Sequence, residues 1–403
     1  MRILNVTQSY APFFEFGGPP AKVRALSAGL AARGHAVSVL TADWGLERRL
    51  PQLANQPPIE HTPFGPTQKV AGVTAIYLRN LLHYRSTSWN PTLPLFVRSG
   101  LQEFDVVHIF GLYDWLGPRV AAACREESIP YIIEPIGMFV PRVRNLLLKR
   151  LYHRFLGREM LAAAGAIVAT ADQEQDELIA GGIPKEKIVL RRNGVEVPSV
   201  LPGRGRFRAA LGIPPRVKLV LFLGRLSQKK SPFLLLRAFT KIASSEAEGQ
   251  PPVHLAFVGP DEAGMLSRLK RTAASGPIAG RVHFSPALDD AAKWQAYRDA
   301  DIFVLPSQNE NFGNTAAEAV AAGTPVIVSD QCGIAPLIAG IAGLVVKHDE
   351  RALTAGIQKL LQDQSLYAQL RAGCKTVLES LSWNLPIEQM VNVYAALAAH
   401  SRP

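Results

Sequence analysis

Short apolar runs recur along the chain, each bounded by turn-forming residues and followed by a stretch whose apolar positions fall at helical spacing. Ile3 to Val6, Ala36 to Leu40, Val73 to Tyr77, Asp105 to Phe110, Tyr131 to Glu134 and Ala166 to Thr170 form a first set of predicted strands. Leu219 to Leu223, His254 to Val258, His283 to Ser285, Ile302 to Leu305, Val326 to Val328 and Leu344 to Val346 form a second. Strands that alternate with helices argue for parallel sheets covered by helices on both faces. Two such sets predict two doubly wound α/β halves. Glu196 to Gly205, between them, is rich in Pro and Gly, as suits a linker, and separates residues 1–200 from 201–382. Arg48 to Lys69, rich in Pro, Gln and Thr, is expected to form a mobile excursion.

Within the second set, the chain from Asp301 to Val328 reads as strand, loop, helix and strand. Ile302 to Leu305 is the strand and Pro306 to Gly313 the loop. Asn314 or Thr315 caps a short alanine-rich helix, and Gly323 ends it. Glu310 and Glu318, with seven residues between them, fall at the carboxyl end of that strand. Ligands of open α/β sheets bind there, where a helix N-terminus offers N–H groups to an anion. One carboxylate on the loop and one in the first helical turn can accept hydrogen bonds from two hydroxyl-bearing parts of one ligand, the shape of a sugar nucleotide. Thr315-x-x-Glu318 is also a capping box, in which Glu318 would serve only its own helix.

A second strand, Leu219 to Leu223, runs into Gly224, Arg225 and Lys230, after which Ser231 and Pro232 supply an N-cap and a first-turn proline. Two cations beside a helix N-terminus make a diphosphate clamp that needs no metal. A plain solvated basic loop is the other reading. Near the start, Gly17 and Gly18 follow the first strand and precede a helix from Pro19. The pair allows close backbone approach to a phosphate or a sugar, or simply makes a turn. Asn193-Gly194 follows a short strand and is a turn signal, structural first and cleft-lining second.

The string from 301 to 330 closely resembles the E-x7-E signature of retaining glycosyltransferases with the GT-B fold, the glycogen-synthase-like group numbered family four. The resemblance extends over nearly the whole chain. It implies two Rossmann-like domains facing a cleft, an N-terminal acceptor domain and a C-terminal donor domain. It also implies that Trp383 to His400, within residues 383–403, forms a terminal helix crossing back to the first domain. Glu310, Arg225 and Lys230 carry over as the catalytic groups. Glu318, Gly224, Asn311, Phe312, Gly313, Asn314, Thr315, Gly17 and Gly18 carry over as donor-binding positions. Ser231 stands where the family usually has glycine. Family members often carry histidine where this chain has Phe110 and Ile136, so that histidine's role does not transfer. His108, Glu134 and Asn193 are the polar candidates near the acceptor side; a core histidine and a satisfied strand-end carboxylate are the plainer readings of the first two. The implied activity is retaining, metal-independent transfer from a UDP- or GDP-linked sugar, without a cofactor, to a saccharide or lipid-linked saccharide, in surface polysaccharide or glycan biosynthesis. A non-catalytic nucleotide-sugar or saccharide-binding partner of an assembly complex is the alternative. A sugar-nucleotide epimerase fits the paired glutamates and the Arg/Lys loop less well. A nicotinamide dehydrogenase would need a G-x-G-x-x-G after the first strand, which the chain lacks.

Composition changes this picture little. The 403 residues are 48% apolar and 19% charged, enough for two cores and against disorder. Cys124, Cys332 and Cys374 show neither metal-ligand spacing nor an even count, which points to a reducing compartment. The chain starts with strand-like Arg2 to Thr7, has no leader-like segment, and shows no apolar stretch long enough to span a bilayer. A cytoplasmic protein is expected, peripheral at most on the inner membrane face. The net charge of +11 suits anionic small molecules or an anionic membrane. Nucleic acid is the poorest fit, because the aromatics are not interleaved with the basic residues. Arg142 to Arg158 holds six Arg and Lys and no acid, with apolar residues at 143, 147, 151 and 155. Such a helix either lies on an anionic leaflet or packs normally with a solvated basic face.

Overall fold

The computed structural model describes residues 1–50, 57–84, 87–141, 145–245 and 252–400. They form two compact units, Met1–Asn193 with Trp383–Pro403, and Gly194–Ser382. The division at 193/194 precedes the Pro/Gly-rich segment rather than falling inside it.

The first unit is built on β1 (Arg2–Thr7), β2 (Ala36–Ala42), β3 (Ile59–Thr62), β4 (Gly65–Val70), β5 (Val73–Leu78), a small separate hairpin of β6 (Leu82–Tyr84) and β7 (Thr87–Trp89), β8 (Val106–Phe110), β9 (Tyr131–Glu134), β10 (Ala166–Ala169) and β11 (Ile188–Leu190). The main sheet runs β11-β10-β9-β8-β1-β2-β5-β4-β3. All its pairs are parallel except β5/β4 and β4/β3. Residues 59–70 thus form an antiparallel hairpin that extends the sheet edge, where the sequence suggested an excursion. Residues 51–56 of that stretch lie outside the described residues. The second unit holds β12 (Leu219–Leu223), β13 (His254–Val258), β14 (Val282–Ser285), β15 (Ile302–Leu305), β16 (Val326–Ser329) and β17 (Gly343–Val346), all parallel, in the order β14-β13-β12-β15-β16-β17.

Period-two alternation gives each sheet two apolar faces. In β1, Leu4 and Val6 enter one core cluster and Ile3 the other. In β12, Leu219 and Leu221 point to one side, Val220 and Phe222 to the other. The helix Asn384–His400 belongs to the first unit, where Ile387, Met390 and Tyr394 are buried. Its approach to the helix Gly18–Ala31 is close: a Cβ on Gly29 would come within 2.1 Å of Ile387 Cδ1. No helix among the described residues is long and apolar enough to cross a membrane.

Candidate functional site

Strand order fixes where each unit can bind a ligand. In both sheets the order reverses at the first strand, between β1 and β8 in one and between β12 and β15 in the other. The crevice of a doubly wound sheet opens at the carboxyl ends of such a strand pair. In the second unit, β12 leads to Gly224, Arg225 and Lys230, and β15 leads to Glu310.

These two loops meet. Lys230 Nζ donates to Glu310 Oε2 at 2.9 Å, and Ser307 Oγ donates to the same oxygen at 3.4 Å. Both charged side chains are about four-fifths buried. Burial works to raise the Glu310 carboxyl, but the Lys230 ammonium, helped by Lys229 and the Ser307 hydroxyl, outweighs it and holds the group below the usual range. The Glu310 loop is clipped to the following loop by Glu310 N–H to Gln331 O and by Gly333 N–H to Glu310 O, both at 2.9 Å. Gly224, at φ +148°, has the Lys230 side chain lying across it. Behind it, a Cβ on Gly259 would come within 2.1 Å of the Gly224 carbonyl oxygen. Arg225 is half exposed, and its Nη1 donates to Glu262 Oε2 at 3.3 Å.

Ser231 caps the helix Pro232–Ser244 by position, with Pro232 in the first turn, yet makes no side-chain cap. Its hydroxyl instead lies 2.9 Å from His348 Nε2. Its φ of +51° is left-handed, which explains in physical terms why a glycine would sit there more easily.

The helix Asn314–Ala321 is capped by Gly313 at φ +104°, not by Asn314 or Thr315. Nor does the capping box form. Glu318 turns to the neighbouring helix Asp290–Asp299, accepting from Lys293 Nζ at 3.0 Å and Tyr297 Oη at 2.7 Å. Two of roughly four acceptor positions of that carboxylate are thereby used. Lys293 is itself held above its ordinary pKa: burial would lower it, and Glu318 and Asp290 more than compensate. Thr315 Oγ1 is buried at this helix start without a hydrogen-bond partner among the described residues. Phe312 is a core side chain, so only its backbone is available to a ligand. Asn311 and Asn314 flank it, half-buried.

In the first unit, Gly17 at φ +105° caps the helix Gly18–Ala31, which begins one residue before Pro19. One turn further in, Lys22 Nζ reaches Glu134 Oε1 at 2.5 Å, and Arg191 binds the other carboxylate oxygen. Glu134 and His108 are wholly buried, so neither presents itself to an acceptor. Burial would raise Glu134, but Arg191, Lys22 and His108 bring it down to about 2. His108 stacks on Phe110, with centroids 4.0 Å apart, and its Nδ1 lies 2.7 Å from Tyr394 Oη. Burial foremost, then Arg191 and Lys22 against the opposing pull of Glu134, takes its pKa to about 3. The plainer readings of both residues, core histidine and satisfied carboxylate, are the ones the geometry supports. Asn193 is buried after β11. Ile136 is left-handed at φ +56°, unusual for a β-branched residue. A pocket of about 470 Å³ in this unit, lined by Phe139, His153, Arg158, Ile183 and Lys187 among others, includes none of the expected donor groups.

Sequence reasoning missed Lys293, Tyr297, Glu262, Lys22 and Arg191. Their partners lie between 21 and 112 positions away, and no local pattern announces a tertiary pair.

Two doubly wound units of this order, with charged loops gathered at a switch point, define a GT-B-like α/β protein. Residues 203–376 match the model of glycosyl transferases group 1, and residues 17–194 match the glycosyl transferase 4-like domain. D-inositol 3-phosphate glycosyltransferase 1 of Catenulispora acidiphila is 30% identical over 310 residues, 72% of each chain. Among solved structures, sucrose-phosphate synthase from Thermosynechococcus elongatus superposes with a TM-score of 0.75 at 24% identity, over 99% of both chains. HepE from Anabaena, in complex with UDP and glucose, gives 0.72 at 18% identity over 98% of this chain and 100% of the other. The chain belongs to the group 1, family-four-like glycosyltransferases.

Proposed function

We propose that this glycosyltransferase moves a sugar from a UDP- or GDP-linked donor to a saccharide or lipid-linked saccharide, with retention and without a catalytic metal. The observation that carries the donor assignment is the meeting of Lys230 and Glu310 where β12 and β15 end. A diphosphate brought there would share Lys230 with Glu310 and draw Arg225 from its exposed pair with Glu262. The two cations, Lys230 already in place and Arg225 drawn in, stabilise the charge that grows on the leaving diphosphate. Glu310, ionised, accepts from donor-sugar hydroxyls. Glu318, anchored by Lys293 and Tyr297, keeps acceptor positions for a ribose. Thr315 Oγ1 at the adjoining helix start is an unused donor for the same ligand. The relatives' names add an anionic acceptor, D-inositol 3-phosphate, that suits a chain of net charge +11 and belongs in the test.

The test is a titration of the purified chain with UDP, GDP, ADP and their common sugar conjugates, reading thermal shift and slow donor hydrolysis. Stabilisation by one nucleotide series, lost in Lys230→Ala, is the expected result. Product made from the matching donor should then carry the donor's anomeric configuration by NMR; inversion would remove the retaining assignment. Donor binding with no turnover on any acceptor would favour the non-catalytic partner, a reading supported by Phe110 and Ile136 where a polar side chain would touch the sugar.

A further inference from the structure

The helix Leu146–Tyr152 buries none of its side chains. It continues through a wider turn, His153–Gly157, into the helix Arg158–Ala163. Leu147, Leu148, Leu151 and Phe155 are 71, 62, 42 and 67% exposed. At 100° per residue, 147 and 151 form one stripe with 148 beside it, and Phe155, in the wider turn that follows, is exposed as they are. Arg150, Arg154 and Arg158, also exposed, form the adjoining stripe. Lys149 and His153 turn inward, the first over the Tyr113 ring at 5.1 Å, the second 2.8 Å from the Tyr113 hydroxyl. The outward face is therefore leucine and phenylalanine edged by arginine. From 145 to 158 it carries no acid, and Arg150 and Arg154 make no ion pair among the described residues. Residues 142–144, part of the basic stretch read from the sequence, lie outside the described residues.

Water is a poor partner for such a face, since each large apolar side chain gains free energy on leaving it. Charge decides what covers it. A second copy would bring two arginine stripes together and repel. A surface that is apolar below and anionic above matches both stripes at once, which is the requirement for an amphipathic helix lying in a membrane interface. We propose that residues 146–158 form a membrane-docking face, with Leu147, Leu148, Leu151 and Phe155 entering the acyl boundary of an anionic bilayer and Arg150, Arg154 and Arg158 meeting lipid phosphates. This face does not depend on which donor or acceptor the enzyme uses.

Vesicle flotation of the full chain tests it, comparing pure phosphatidylcholine with a roughly three-to-one phosphatidylcholine–phosphatidylglycerol mixture. The wild type should float with the anionic vesicles and stay largely behind with the neutral ones. Leu147→Glu with Leu151→Glu should abolish flotation. Arg150→Gln with Arg154→Gln should lower the partition about thirtyfold, as expected for two cations near an anionic surface. All four positions are exposed, and unchanged thermal midpoints and nucleotide response verify that the variants fold. No flotation of the wild type, equal flotation on both vesicles, or flotation of the Leu→Glu pair at wild-type level would each overturn the proposal. So would light scattering that finds a stable dimer dissolved by the Leu→Glu pair, because the face would then belong to a second copy.

Discussion

Lys230 and Glu310 face each other at 2.9 Å with most of each side chain out of water, so each limits what can be done to the other. If the proposed clamp holds the diphosphate, Lys230→Ala should weaken binding of the cognate nucleoside diphosphate by about 1.5–3 kcal/mol, the range for hydrogen bonds to charged groups. Unchanged affinity by calorimetry would take lysine out of the clamp. The same change leaves Glu310 with its burial uncompensated. In the wild type its carboxyl titrates below the unfolded value, so the pair contributes stability above the unfolded pKa of about 4.3 and loses it as pH falls through the lowered folded pKa. In Lys230→Ala burial prevails and the sign reverses. The stability gap between the two proteins should thus be wider near pH 7 than near about pH 4 in urea unfolding. A gap that ignores pH would mean the carboxylate does not feel the lysine. Glu310→Ala should cut turnover and, because it leaves the mostly buried Lys230 ammonium without its carboxylate, also lower the thermal midpoint; wild-type rates with the cognate donor would remove Glu310 from the proposed sugar site. At this scale the candidate groups were legible because they stand in short local strings at strand ends. Glu310, Glu318, Arg225 and Lys230 could all be picked from two short strings. The sequence was silent on Lys293 and Tyr297, because a carboxylate's partner on another helix is chosen by packing, not by spacing along its own.

Strand ends, and the turns that follow them, set how accurately these groups are held. Gly259 follows β13 at φ +140°, where a Cβ would come within 2.1 Å of the Gly224 carbonyl oxygen and 2.7 Å of its carbon. An alanine there would meet a carbonyl oxygen that cannot rotate away, as well as a left-handed backbone. Gly259→Ala should therefore cost at least about 2 kcal/mol and loosen the donor loop with it. A urea midpoint equal to that of the wild type would show that the turn yields freely. In the first unit the corresponding anchor is β8, whose His108 is tied to Tyr394 of the terminal helix. Glu134, Arg191 and Lys22 surround that ring. A histidine whose folded pKa is about 3 stays neutral in the native state while the unfolded chain takes up a proton below about 6.5. Stability must then fall with pH from about 6.5 downward, by up to about 1.4 kcal/mol per unit from this residue, and Glu134 adds its own loss below about 4.3. His108→Gln should flatten the upper part of that slope and leave the lower part. An unchanged slope between about pH 6 and 5 would place the acid sensitivity elsewhere. The elements themselves were largely legible, since buried parallel strands are short continuous apolar runs. The hairpin at 59–70 was not, because its residues are half polar, lie at a sheet edge and show no period-two burial.

Over the whole molecule, the chain leaves the first unit once and returns once. The second unit's two ends are hydrogen-bonded to each other, with Val195 N–H donating to Leu381 O at 2.7 Å. A unit whose entry and exit lie side by side behaves topologically as an insertion. It also has both of its core clusters, one on each sheet face, and every expected diphosphate, sugar and ribose ligand except Gly17 and Gly18. The excised fragment Gly194–Ser382 should accordingly fold cooperatively. It should bind the nucleoside diphosphate that stabilises the full chain with a Kd within about tenfold, or roughly 1.4 kcal/mol, of the intact value. It should transfer nothing if, as the family resemblance implies, the first unit recognises the acceptor. A fragment that folds but binds more than a hundredfold (roughly 2.7 kcal/mol) more weakly would move a principal donor contact to the glycine pair Gly17-Gly18. One that does not fold would mean the terminal helix and β11, which bracket the insertion, also sustain it. The complementary deletion of 383–403 should be far more damaging. It strips Ile387, Met390 and Tyr394 from the first unit's core and leaves His108 and the Gly29 face of the first helix without the surface they were shaped to meet.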